Sequence, residues 1–249
     1  MLSGLRILIG SPLGRIVANA VGELYPQLTI QFASTEAEFV RAITGRARFD
    51  VVTADLIWND PRAEWSFDGL DAIDRLHDAD RLAPVILTRQ GHSMETDHLE
   101  EAAARPEVWG VIEKAAGLPP LLESVRSVAF GSRRPAPAVP ADDSLYRLFQ
   151  GRRGNTAGRL AGAIASGRAT DNASLAVVAG VSPSTANKVT SHYLGPIMIT
   201  RGEHDESLPL TQGAVYRWCG LHARYLVSWC RRNGHADVLG DADVLKRRD

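Results

Sequence analysis

The chain has 249 residues, Lys+Arg 28 against Asp+Glu 29 and a formal net charge of -1, with 45% hydrophobic and 23% charged residues. That length suits two globular units of about 100–150 residues each, and the composition excludes collagen, coiled coil and disorder for the chain as a whole. No apolar run reaches the roughly 18 residues of a membrane helix. In chain order, LRILI (5–9), LTIQFA (28–33), which alternates strictly, FDVVTADLI (49–57), APVILT (83–88) and WGVIE (109–113) read as strands, and the strands taken together as apolar on both sides. Helical spacing fills 13–25, 35–45, 68–79, 94–104 and 118–129 between and after them. Strand then helix, five times over, predicts an α/β unit with a five-stranded doubly wound parallel sheet.

Residues 131–143, GSRRPAPAVPADD, carry three prolines within six positions and predict an extended spacer. Beyond it the pattern is mostly helical, at 144–149, 156–166, 172–180, 184–194 and one long helix over 212–232, with a possible short strand at 197–201. The expected organisation is therefore a first unit over 1–130, a linker over 131–143 and a helical unit over 144–249. The two parts differ in charge: residues 1–140 carry 14 − 19 = −5 and residues 141–249 carry 14 − 10 = +4. A polyanionic partner would meet the second half. Cys219 and Cys230 are too few for a disulfide scaffold and would lie about 16 Å apart along a helix, too far to bridge. With MLSGLRILIGSPLG running straight into a strand and not a secretory signal, a reduced, cytoplasmic protein is expected.

In a doubly wound sheet, chemistry sits at the carboxyl ends of the strands. Here those ends carry Gly10-Ser11-Pro12, Asp55, Thr88 and Lys114. An acid, a hydroxyl and an amine on one edge form a phosphoryl-handling set, the acid as acceptor and the others stabilising phosphoryl oxygens. FDVVTAD, DGLDAIDRLHDADRLAPVILT and WGVIEK, over about 4–128, resemble the receiver domain of two-component response regulators. The resemblance implies Asp55 as phosphoacceptor, Thr88 as switch hydroxyl and Lys114 as the matching lysine. Receivers also carry two acids after the first strand to hold Mg²⁺, and Ser11 and Pro12 stand there instead. Mg²⁺ prefers carboxylate oxygens, so an atypical, phosphorylation-independent receiver is expected. The alternative is that Asp60 or Asp97 supplies the missing carboxylate. Val111 takes the aromatic switch place, and Trp58 and Trp65 lie in a long loop after Asp55, capping a ligand pocket or packing as a local cluster.

SLAVVAGVSPSTANKVTSHYLG (174–195) holds the elements of a helix-turn-helix. Ala176 allows close crossing, Gly180 turns the first helix out of αR, Val181 anchors the turn, and Ser182 caps a second helix with Pro183 at its first position. Ala186 and Val189 face inward, leaving Ser184, Thr185, Asn187, Lys188 and Ser191 outward. The A-x-x-x-G-V-S-x-x-T spacing resembles DNA-binding segments of the LacI repressor class, and ASGRATDNASLAVVAGVS is similar to LuxR-type output helices. The resemblance implies double-stranded DNA as partner, with Ser184, Asn187 and Lys188 near base edges and Ser182, Thr185 and Arg201 near phosphates. A small wing around Gly202 is also expected.

The 212–232 helix has an apolar stripe of Ala214, Trp218, Leu221, Tyr225 and Trp229 and an arginine row at 217, 224 and 231. It reads as a dimer or phosphate-tracking helix, or as one docked on its own unit with a solvated basic face, and His222 as a surface histidine. No Cys/His spacing suggests a metal, no cofactor is expected, and no catalytic motif marks an enzyme. The expectation is a homodimeric transcriptional regulator of a two-component system, with a small-molecule ligand at the receiver as a further possibility. A conventional phospho-switch and a protein- or RNA-binding adaptor are the alternatives.

Overall fold

The computed structural model describes residues 4–60, 65–133 and 142–240. The chain forms two compact units, Met1–Val139 and Pro140–Asp249. The division falls inside the proline-rich seam, whose residues 134–141 lie outside the described residues.

The first unit alternates strictly: β1 (Arg6–Gly10), α1 (Gly14–Leu24), β2 (Thr29–Ala33), α2 (Glu36–Thr44), β3 (Val51–Asp55), α3 (Gly69–Asp78), β4 (Val85–Arg89), α4 (Thr96–Ala103), β5 (Val108–Glu113) and α5 (Leu118–Ala129). The strands are all parallel, in the order β2-β1-β3-β4-β5. This is the doubly wound, receiver- or flavodoxin-like sheet that the alternation predicts. Central β3 is buried along its whole length, because helices cover both faces. The expectation of strands apolar on both sides fails for β2. As an edge strand it leaves Thr29, Gln31 and Phe32 exposed. The core packs Ile7, Ile9, Val51 and Ile86 of the sheet against Val21 of α1 and Leu122, Val125 and Val128 of α5. Each such aliphatic contributes about 1.5–3 kcal/mol by leaving water. Trp58 is fully buried and meets Phe67 edge-on at 4.9 Å, while Phe67 lies 5.7 Å from Phe39. Trp58 is thus part of a local aromatic cluster.

The second unit contains α6 (Leu145–Leu148), α7 (Gly151–Ala165), α8 (Asn172–Ala179), α9 (Pro183–Asn187), α10 (Leu194–Thr200), α11 (Gln212–Leu221) and α12 (Ala223–Arg232). Long α7 is its scaffold. Gly158 and Gly162, one turn apart, let α12 approach so closely that a methyl group at either would overlap Trp229 or Cys230. Five expectations change here. The helix expected at 156–166 begins at Gly151. The helix expected over 184–194 is interrupted: after α9 the chain widens into a π turn over Val189–Tyr193. The strand at 197–201 is the end of helix α10, and no strand forms near Gly202 among the described residues. The long 212–232 helix breaks at His222, where φ −97 and ψ 10 leave the helical region. No described helix is long and apolar enough to cross a membrane.

Candidate functional site

The parallel register builds the first site. Asp55 and Thr88 are direct partners on β3 and β4, Ser11 follows the last residue of β1, and Lys114 follows the last residue of β5. All four therefore reach the carboxyl edge beside the β1/β3 switch point, where the order of winding reverses. Asp55 is 4% exposed as a residue, and both of its carboxylate oxygens have partners. Thr88 Oγ1 donates to Oδ1 at 2.7 Å, Ser11 Oγ donates to Oδ2 at 2.6 Å, and Lys114 Nζ lies 2.7 Å from Oδ2. The edge brings Asp55, Thr88 and Lys114 together as expected.

Ser11, standing where receivers carry a metal-binding acid, is buried and holds Asp55. Its oxygen also accepts from the Leu13 backbone N–H at 3.1 Å, which fixes the β1–α1 loop. The sequence signal was available in Ser11 itself, a hydroxyl at a strand's carboxyl end. Mg²⁺ does not fit this edge. Both Asp55 oxygens are engaged, and neither Asp60 nor Asp97 lines the cavity beside them. Glu113, which does line it, is paired with Arg89 at 2.7 Å. Among the described residues, no three carboxylate, imidazole or thiol groups are arranged to hold a metal ion. Val111 is half-buried on β5.

The second site is a helix–turn–helix geometry. Asp171 caps α8, its carboxylate accepting from the Ser174 backbone N–H at 2.7 Å, and these hydrogen bonds hold the Asp171 carboxyl below its ordinary range. Gly180 ends α8 in the left-handed region at φ 61, where a side chain is strained. Ser182 Oγ then accepts from the Thr185 N–H at 3.1 Å, with Pro183 opening α9. Arg159 of α7 donates to the Ala179 carbonyl at 2.6 Å and pairs with Asp237 at 2.9 Å, tying α8 to the scaffold. Ala176, Ala186 and Val189 are buried, as the spacing requires. Ser182, Ser184, Asn187, Lys188 and Ser191 are exposed, and Thr185 is half-buried. Asn187 Oδ1 accepts from Asn172 Nδ2 at 3.2 Å, which orients its amide. Arg153, not singled out in the sequence, is exposed and donates to the His192 carbonyl at 3.1 Å. The Arg152-Arg153 pair opening a helix in the basic half was its signal.

Arg201 does not join this face. Its side chain is 5% exposed, and it pairs with Glu203 at 3.0 Å and donates to the Asp143 carbonyl at 2.9 Å. A phosphate-contact role is therefore withdrawn. Glu203 also accepts from Trp218 Nε1 at 2.7 Å and meets His222 Nε2 at 3.4 Å. Burial alone would raise the Glu203 carboxyl, but the His222, Arg201 and Trp218 hydrogen bonds outweigh it and hold it at about 2. His222 is accordingly a satisfied histidine, but half-buried and not on the open surface. Its ring lies tilted 4.7 Å from that of Trp218, at the break between α11 and α12. The break interrupts the expected stripe at Leu221, which is 71% exposed, while Trp218, Tyr225 and Trp229 are buried and Ala214 is half-buried; the arginine row splits, with Arg217 exposed and Arg224 and Arg231 half-buried. Cys219 and Cys230 are free and buried, and burial pushes the Cys230 thiol up to about 12 and the Cys219 thiol higher still.

No protein-family model matches the chain, and no curated protein is similar to it. Solved structures that resemble it include the receiver domain of a Francisella response regulator, at 15% identity and TM-score 0.40, covering 51% of this chain and 98% of that one. A response regulator receiver protein from Sinorhizobium medicae matches at 16% identity and TM-score 0.40, covering 53% and 98%. A structure of two RcsB dimers bound to two parallel DNAs matches at 12% identity and TM-score 0.46, covering 86% of this chain and 97% of that one.

Proposed function

We propose that the chain is a sequence-specific regulator of transcription, of the response-regulator type. In this reading it binds double-stranded DNA as a homodimer, and its Asp55 edge works without phosphorylation. The observation that carries the reading is the exposed row Ser184, Asn187, Lys188 and Ser191 on a segment fixed by Gly180 and Ser182. A short helix so capped and tied to a scaffold suits the major groove, and Arg153 beside it suits a phosphate. The basic balance of 141–249 favours the same partner. The first unit then acts as a dimerisation or ligand-sensing module, with 94–104 and 118–129 as the pairing surface and α12 docked on its own unit. No catalytic step is assigned to the chain, and its free thiols suit the cytoplasm.

Phosphorylation independence is supported by charge. A phosphoryl donor at about 4 Å from Asp55 is repelled by about 4 kcal/mol per unit pair at an effective dielectric near 20. Lys114 supplies one compensating charge and is already paired with Asp55. The conventional phospho-switch keeps one observation in its favour, the 2.7 Å approach of both Thr88 and Lys114 to Asp55. Selection from a random duplex pool, followed by gel shift, tests DNA binding; failure to enrich any sequence overturns it. Acetyl phosphate with Mg²⁺ and a Phos-tag gel decides the second point. Stoichiometric modification that tightens DNA binding, and is lost in Asp55→Asn, would establish the phospho-switch.

A further inference from the structure

Beside the Asp55 cluster the sheet edge opens into a cavity of about 230 Å³ between the β1–α1 loop, α1, the end of β5 and α5. Its two ends differ in chemistry. The inner end holds Ser11, Asp55, Thr88 and Lys114, and the body is formed by Ile9, Val17, Ile112, Leu118 and Leu121. Val17, Ile112, Leu118 and Leu121 are only half-buried, and Leu13 at the mouth is 58% exposed. Apolar surface left wet around a small concave space is what an apolar ligand would cover.

The charges select the kind of molecule. Lining the cavity are two carboxylates, Asp55 and Glu113, and one ammonium, Lys114. An anionic head would meet both carboxylates. A cationic head would have to displace Lys114, which already sits 2.7 Å from Asp55. Asp55 is engaged at both oxygens by Ser11, Thr88 and Lys114, so it has little left to offer a donor. An ammonium has three N–H donors, and Asp55 takes one. What the inner end offers is therefore a donor to a neutral acceptor. An apolar cavity of about 150 Å³ holds benzene, so this one suits about nine non-hydrogen atoms.

We propose that this cavity binds a small, uncharged, mostly apolar molecule with one hydrogen-bond-accepting group, its acceptor on Lys114 Nζ and its body between α1 and α5. The proposal rests on reading the Asp55 edge as a ligand site and not as a phosphoacceptor. It names the class of ligand that the edge would sense.

The test uses the full-length protein with methyl-labelled Ile, Leu and Val, and acetophenone, a neutral aryl ketone of the required size, as probe. Benzoate and benzylamine are the anionic and cationic counterparts. Acetophenone should shift the Val17, Leu118 and Leu121 methyl signals saturably and bind about tenfold more tightly than either counterpart, one charged-donor hydrogen bond being worth about that factor. Lys114→Met should weaken acetophenone by about the same factor. Val17→Phe, which fills the apolar body and leaves the charged cluster intact, should abolish its binding while the other methyl signals stay dispersed. Unmoved Val17, Leu118 and Leu121 signals, benzoate or benzylamine binding as tightly as the ketone, or unchanged binding in Val17→Phe would each overturn the proposal. Phosphorylation is read separately on the Phos-tag gel. Modification of Asp55 with ketone binding intact would therefore sink the phosphorylation-independent reading alone.

Discussion

Ser11→Asp is the sharpest probe of the Asp55 edge. In the native unit Ser11 Oγ donates to Asp55 Oδ2 at 2.6 Å, and among the described residues Lys114 is the one cation paired with that carboxylate. Replacing the hydroxyl with a carboxylate removes a hydrogen bond to a charged group, worth about 1.5–3 kcal/mol. It also places a second negative charge at about 4 Å, costing about 4 kcal/mol at an effective dielectric near 20. Part of this will be relieved by protonation of the new acid, so a net loss of about 3–5 kcal/mol is expected for the first unit. Ser11→Ala loses the hydrogen bond alone and should cost about 1.5–3 kcal/mol. The assay is urea unfolding of the whole chain, read on methyl signals of Ile7, Val51 and Ile86 in the first core. Millimolar Mg²⁺ should restore stability to Ser11→Asp, because paired carboxylates now offer hard oxygen ligands, and should leave the wild type unchanged. If Ser11→Asp matches the wild type in Mg²⁺-free buffer, or if Mg²⁺ stabilises both proteins equally, the electrostatic account of this edge is wrong.

Lys188→Ala and Asn187→Ala, both at exposed positions, should each weaken binding to a selected duplex by about 1–3 kcal/mol with the fold intact; unchanged affinity and site preference in both would show that another element reads the DNA. The Glu203 carboxyl, lowered from 4.5 to about 2, gives a pH dependence with a definite sign. Its contribution is present above about pH 4.5 and is lost as pH falls through about 2, amounting to about 3 kcal/mol, or about 2 after solvent screening of its exposed part. Acid titration of Trp218 fluorescence should show this loss, and Glu203→Gln should flatten it. Gly158→Ala gains about 1 kcal/mol of helix propensity but drives a methyl group into the Trp229 ring, at a cost of about 1–3 kcal/mol. Net destabilisation in thermal melts is expected, and a more stable variant would show that α7 and α12 part easily.

The sequence by itself determined where the strands and helices of the first unit lie, because buried parallel strands and amphipathic helices impose periodicities that need no knowledge of distant partners. It also determined the α8–α9 turn, since Gly180 and Ser182 act on backbone within three residues of themselves. Long-range packing decided the rest. A period-3.6 pattern over 212–232 is continuous, and nothing local announces the break at His222. That break belongs with the hydrogen bonds that Glu203 draws from Trp218, 15 residues further along the chain, and from His222 at the break itself. Arg201 reads as a surface cation beside a DNA-binding segment, but its guanidinium turns inward to Glu203 and the Asp143 carbonyl. Ser11 and Asp55 are 44 residues apart. Parallel pairing of β1 with β3 makes them neighbours, and that pairing turns a serine standing where an acid was expected into a direct partner of the central carboxylate.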